Sequence, residues 1–233
     1  LPVLLVGSLH PGTMPGPTLS KNAMKNPLQP YLPPLNVPPA PAETPAGRVP
    51  DDAECTRIWD RYAMPDHIRA HCTQVARVAT HLAVLAHEAG LTVNVAAVRA
   101  SALLHDIAKA YTIHYGGNHS QLGASWVMDE TGNPALAQGV MHHVFWPFAS
   151  ELPRDLLPLA VIYGDKRVAH DRIVSLNERF ADLIRRYGRT EAIRKRIAYT
   201  HEQALDVERL FSTTLKVNLC ESTFDRGRMV HGA

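Results

Sequence analysis

After Pro50, apolar residues recur at steps of three and four, the spacing that gathers side chains on one face of a helix, and this pattern holds to about residue 215. Asp51-Asp52 caps a short helix that ends near residues 61–63, and Pro65 with Asp66 starts a longer one running to about Gly90. In that second helix His67, His71, Val75, Val78, Leu82 and Leu85 share a face, so the core face carries two histidines. A third helix is predicted over residues 95–108, with Val98, Ala102 and His105 stacked on its inner side. Gly116-Gly117 marks residues 111–117 as a loop, and Asn118 is the N-cap of a helix reaching Thr131-Gly132. Pro134 opens a helix to about Val144, and Pro153 with Asp155 introduces one ending in Gly164-Asp165-Lys166, with Pro158 tolerated in its first turn. Two amphipathic segments, residues 174–187 and 191–215, follow. No alternating β-branched run and no internal repeat appears. The predicted fold class is all-α, a helical bundle.

Composition divides the chain in three. Thirteen of the eighteen prolines lie in the first fifty residues, and proline both removes a backbone donor and resists helix interiors and sheets. Residues 1–50 are therefore expected to be an extended or disordered, proline-rich arm, residues 51–215 the helical domain, and residues 216–233 a loose tail. The apolar opening Leu1–Val6 is far shorter than the ~20 residues of a membrane helix, so no membrane span is expected. Three scattered cysteines, Cys55, Cys72 and Cys220, form neither a disulfide framework nor a zinc knuckle, which points to a reducing, cytoplasmic setting. A net charge of +2 is too mild to signal nucleic-acid binding. The arginines of Arg185-Arg186, Arg189 and Arg194-Lys195-Arg196 alternate with apolar positions and read as a solvated helical face.

The chemistry concentrates at His105-Asp106, which places an imidazole and a carboxylate side by side at the end of an apolar helix. With His71 and Asp165 it supplies two imidazoles and two carboxylates from three predicted helices. This nitrogen and oxygen set suits Mn, Fe, Mg, Zn, Co or Ni, and its lack of thiolate speaks against a structural zinc site. The second oxygen of Asp106 can bridge to another ion, for which His119, His142 and His143 are the candidate ligands. Another His-Asp step, His170-Asp171, lies in a polar stretch and is set aside. Lys109, one turn after His105 if the helix continues, would face the same cavity and meet a phosphate oxygen. Lys166 and Arg167 follow a ligand directly and are further phosphate candidates.

His71, Leu104-His105-Asp106-Ile107-Ala108-Lys109, His119, His142-His143 and Gly164-Asp165-Lys166, taken in order, resemble the HD-domain phosphohydrolase superfamily, its HDIG-like members in particular. By that resemblance His71, His105, Asp106 and Asp165 are the core ligands, and His119, His142 and His143 match the extra histidines of two-metal members. Lys109-Ala110 replaces the acidic pair of the superfamily's alarmone hydrolases. Val144-Phe145 and the lack of a Gly-Tyr-Pro separate the chain from the cyclic-di-GMP phosphodiesterases. The run from His119 to Ala124, with Asp165-Lys166, is more similar to bacterial HD proteins that cleave diadenosine tetraphosphate.

The resemblance implies a metal-dependent phosphohydrolase, with Asp106 and Lys109 in catalytic roles and Lys109, Lys166 and Arg167 toward the substrate. A metal-activated water would attack a nucleotide-like phosphoester or phosphoanhydride, with one or two divalent ions per chain. The partner is a small phosphorylated molecule, and a homo-oligomer is open. The superfamily also includes di-iron oxygenases, and an HD fold can serve as a ligand-sensing module without catalysis; both stand as alternatives.

Overall fold

The computed structural model describes residues 47–219. Among them the chain forms α1 (Asp52–Arg61), α2 (Asp66–Glu88), α3 (Val95–Leu104), α4 (Lys109–Tyr115), α5 (His119–Thr131), α6 (Pro134–His142), α7 (Leu156–Lys166), α8 (Leu176–Tyr187) and α9 (Glu191–Leu215). A small ribbon, β1 (Val168–Ala169) and β2 (Arg172–Ile173), joins α7 to α8. The all-α class stands. The ribbon, antiparallel with Val168 opposite Ile173, is too short to produce an alternating pattern in the sequence.

Local chemistry sets most helix starts. Asp51 and Glu54 form a reciprocal capping box at α1, and Ser175 with Glu178 does the same at α8. Asn118 Oδ1 accepts from the amides of Ser120 and Gln121, and Asn133 Oδ1 from those of Ala135 and Leu136.

Two boundaries differ from the sequence reading. The helix expected to run to Ala108 ends at Leu104, and most of the expected loop over residues 111–117 is helix α4. The physical reason lies in His105, whose Nδ1–H donates to the Ala102 carbonyl at 2.7 Å and competes with the main-chain ladder there. The chain then tightens to three-residue hydrogen bonds, from Ile107 N–H to Leu104 and from Lys109 N–H to Asp106, before α4 begins.

Helix α2 is central, packed between α3 and α7. Its inner face, Cys72, Val75, Ala76, Ala79, Leu82 and Ala83, is fully buried and built largely of small side chains. Where α7 crosses it, a Cβ on Gly164 would stand 2.9 Å from the Val75 carbonyl oxygen, so only glycine allows that approach. The α3–α6 crossing is similar: a Cβ on Gly139 would lie 2.2 Å from Ser101 Oγ, which donates to the Leu136 carbonyl.

The last residues assigned to the arm are fastened to the domain. Arg48 N–H donates to the Thr131 carbonyl and Asn133 Nδ2 to the Gly47 carbonyl, both at 3.0 Å. The expected loose tail likewise begins as packed chain, with Leu219 buried and its carbonyl accepting from Arg167. The arm over residues 1–46 and the tail beyond Leu219, including Cys220, lie outside the described residues. Among the described residues no helix is long and apolar enough to cross a membrane.

Candidate metal centre

The core helices deliver their polar side chains to one place. His71 comes from α2, His105 and Asp106 from the turn after α3, Asp165 from the last turn of α7, His119 from the start of α5, and His143 from just after α6. His71, His105, Asp106, His143 and Asp165 are buried, in surroundings where an unpaired polar group is costly.

Three of the four histidines have their tautomer fixed. The Nδ1–H of His71 donates to the His170 carbonyl at 2.8 Å, that of His105 to Ala102 and that of His143 to Val140, both at 2.7 Å. A carbonyl can only accept, so each of these rings carries its proton on Nδ1 when neutral and turns an Nε2 lone pair inward. This is the orienting contact of a metal-ligating histidine.

The Asp106 carboxylate lies between two donor sets. Its Oδ2 is 3.5 Å from His105 Nε2 and 3.9 Å from His71 Nε2; its Oδ1 is 3.3 Å from His119 Nε2 and 3.4 Å from His143 Nε2. The Oδ1 contacts lack hydrogen-bond alignment, and among the described residues neither Asp106 Oδ1 nor His105 Nε2, both buried, has a hydrogen-bond partner. His71, His105 and Asp106 form one group of convergent donors, and Asp106, His119 and His143 a second. In the first group the orphaned His105 Nε2 and the fixed tautomers of His71 and His105 suit a divalent cation; in the second Asp106 Oδ1 is the orphan, while His119 Nε2 and His143 Nε2 meet at 3.0 Å, a contact that a cation between them would replace. Asp165 joins the first, its Oδ1 lying 3.2 Å from His71 Nε2 and 4.0 Å from His105 Nε2.

Burial opposes charge on both carboxylates. The protonated form of the His105 ring and the Lys109 ammonium outweigh it at Asp106, as the Lys166 ammonium and the Arg179 guanidinium do at Asp165, so both stay well below the usual carboxylate range. Lys109 Nζ meets Asp106 Oδ2 at 2.6 Å and keeps its side chain 35% exposed, so it borders solvent as well as the centre. His119 is pushed down to about 4 by burial and by His143 beside it, and burial lowers His143 too. Both rings are neutral near pH 7, the form a metal needs.

Not every candidate arrives. His142 and His143 are neighbours at a helix end, so their side chains diverge. The His142 ring packs edge-on against Trp146 and Phe148, outside both donor groups. Lys166, expected near substrate, is buried, with its Nζ 2.5 Å from Asp165 Oδ2 and 3.3 Å from the His143 carbonyl. Arg167 turns away altogether, donating to Val174, Leu219 and the Tyr163 hydroxyl.

Two contributors were missed. The set-aside His170 supplies its carbonyl to His71 from the tight turn of the ribbon, at φ +59. Arg179 of α8 lies buried with Nη2 3.7 Å from Asp165 Oδ1. It shares the inward face of α8 with Leu176 and Phe180, and an arginine at an apolar-face position is the signal that could have found it.

A family model for the HD domain matches residues 68–205, more than half of the chain and a span that contains every donor named above. The chain belongs to the HD-domain family. Its superfamily is one of metal-dependent phosphohydrolases, and the all-α architecture agrees. A ribonuclease Y of Opitutus terrae is 29% identical over 133 residues, 57% of this HD protein. The chain spans only 24% of that relative's length. A crystal structure of a predicted HD superfamily hydrolase from an uncultured Thermotogales bacterium covers 71% of this chain and 94% of its own at 17% identity, with a TM-score of 0.38.

Proposed function

We propose that this HD domain hydrolyses a phosphoester or phosphoanhydride of a nucleotide-like substrate at a two-ion centre. The observation that carries the reading is the division of Asp106 between the two donor groups, each oxygen turned toward a different set of histidine nitrogens. A divalent cation held there would supply Lewis acidity and would activate water. His71, His105, Asp106 and Asp165 would hold the first ion, and Asp106, His119 and His143 the second; the donor types admit Mn, Fe, Mg, Zn, Co or Ni.

The remaining residues divide by reach. Lys109 borders solvent beside Asp106, so its ammonium can meet a phosphate oxygen and stabilise developing negative charge. Lys166 is held against Asp165 and orients that carboxylate. His119, pushed down to about 4, is not an imidazolium near neutrality and acts as a ligand rather than a general acid. The ribonuclease Y relative supports a nucleotide-like substrate, since its name is that of an enzyme acting on a nucleotide polymer.

The test is a panel of nucleoside mono-, di- and triphosphates, dinucleoside polyphosphates and a short RNA, each with Mn, Co, Ni, Mg and Fe(II). At least one metal-dependent turnover that EDTA abolishes is expected. A silent panel with oxygen uptake or tight ligand binding in its place overturns the reading.

A further inference from the structure

Helix α8 brings a guanidinium to the edge of the centre without giving it close partners. Arg179 is 8% exposed, and its buried Nε has no hydrogen-bond partner among the described residues. Among the described residues its side chain makes two wider ion pairs, Nη2 to Asp165 Oδ1 at 3.7 Å and Nη1 to Asp182 Oδ2 at 3.9 Å. Neither is within hydrogen-bond distance.

Both carboxylates already have closer cations. Asp165 meets Lys166 Nζ at 2.5 Å, and Asp182 is met by Arg185 and, at 3.5 Å, by Arg186. Arg185 and Arg186 reach Asp182 from the solvent side, with side chains 76% and 41% exposed. Among the described residues these two carboxylates face four cations, and Arg179 has the longest contact with each of them. A buried guanidinium with unspent donors is costly unless an anion completes it. Arginine's planar fork matches two oxygens of a phosphate.

We infer that Arg179 is a substrate anchor: its guanidinium binds non-bridging oxygens of a phosphoryl group held at the metal centre. This rests on the phosphohydrolase reading and adds a residue to it. The phosphoryl group would then sit between two cations, Lys109 beside Asp106 and Arg179 beside Asp165. The wide Asp165 and Asp182 contacts hold the fork in place without consuming its donors.

Calorimetric titration of the Mn-loaded full chain with inorganic phosphate tests this, alongside manganese content by elemental analysis. Arg179→Gln should weaken phosphate affinity about tenfold or more with manganese content unchanged, since hydrogen bonds to charged groups are the stronger class. Arg179→Lys keeps the charge without the fork and should recover part of that loss. Wild-type affinity in Arg179→Gln overturns the assignment. Loss of manganese from both variants also overturns it, because Arg179 would then be a structural counter-ion of Asp165. If Arg179→Gln does not fold, Arg179→Lys decides alone, and unchanged affinity rejects the anchor. Wild-type protein that neither binds phosphate nor hydrolyses any phosphoester removes the phosphohydrolase reading and the anchor with it, whereas binding that is indifferent to residue 179 removes only the anchor.

Discussion

The ring of His71 is oriented by the main-chain carbonyl of His170, 2.8 Å away and 99 positions further along the chain. Because the carbonyl does this, the His170 side chain is dispensable to the contact. His170→Gly should therefore keep full metal content, and at φ +59 glycine relieves backbone strain worth about 1 kcal/mol. His71→Ala should lose metal outright. Elemental analysis with thermal denaturation of the two variants checks this, and metal loss in His170→Gly would contradict it.

Replacing His105 or Asp106 with Ala should strip bound metal while circular dichroism shows helicity largely retained. His119→Ala and His143→Ala should each lose only the second ion. His142→Ala should bind as wild type does, although losing its ring contacts with Trp146 and Phe148 should cost stability on the order of 1 kcal/mol. Manganese-soaked crystals are expected to show two ions roughly 3.5 to 4 Å apart. Two ions with His142 among the ligands would reverse this assignment.

Lys109→Ala should lower kcat about tenfold or more with metal content unchanged, provided the ammonium acts chiefly on transition-state charge. A rise in KM with kcat preserved would instead show that Lys109 contributes to ground-state binding alone.

His119 gives a pH dependence whose sign is fixed. Burial and His143 place it at about 4 in the folded chain, below the ordinary 6.5 of an exposed histidine. Its contribution is thus fully present above pH 6.5 and fades as pH falls toward 4, because the unfolded chain takes up the proton first. In EDTA-treated protein, wild type should lose at most about 3 kcal/mol over that window relative to His119→Gln. Urea melts at pH 7, 5.5 and 4.5 measure the difference, and parallel pH profiles for the two proteins would refute it.

Much of this was legible in the sequence because it rests on local rules. Asp51, Asn118, Pro134 and Glu191 mark helix starts by capping and composition, and the periodicity of α2 turns His71 inward before any partner is known. What stayed hidden depends on contacts between distant segments. The break after Leu104 follows from a ring that back-bonds to Ala102, and neither apolar spacing nor proline or glycine marks it. The position of Arg179 requires α8 to dock beside α7, and His170 contributes a backbone atom whose identity the sequence does not encode. His142 and His143 were indistinguishable as letters, and only the direction of the helix end separates them.

The near-contact of Gly164 with the Val75 carbonyl lies one helical turn from His71 and one residue from Asp165. The bite of this candidate ligand pair is thus set by backbone meeting backbone, and no interhelical loop enters it. Insertions or exchanges in the connections between helices would leave that bite intact, whereas a single methyl group at position 164 would wedge α2 and α7 apart. The separation of His71 from Asp165 is accordingly a property of two helices alone, indifferent to whatever changes at the periphery of the domain.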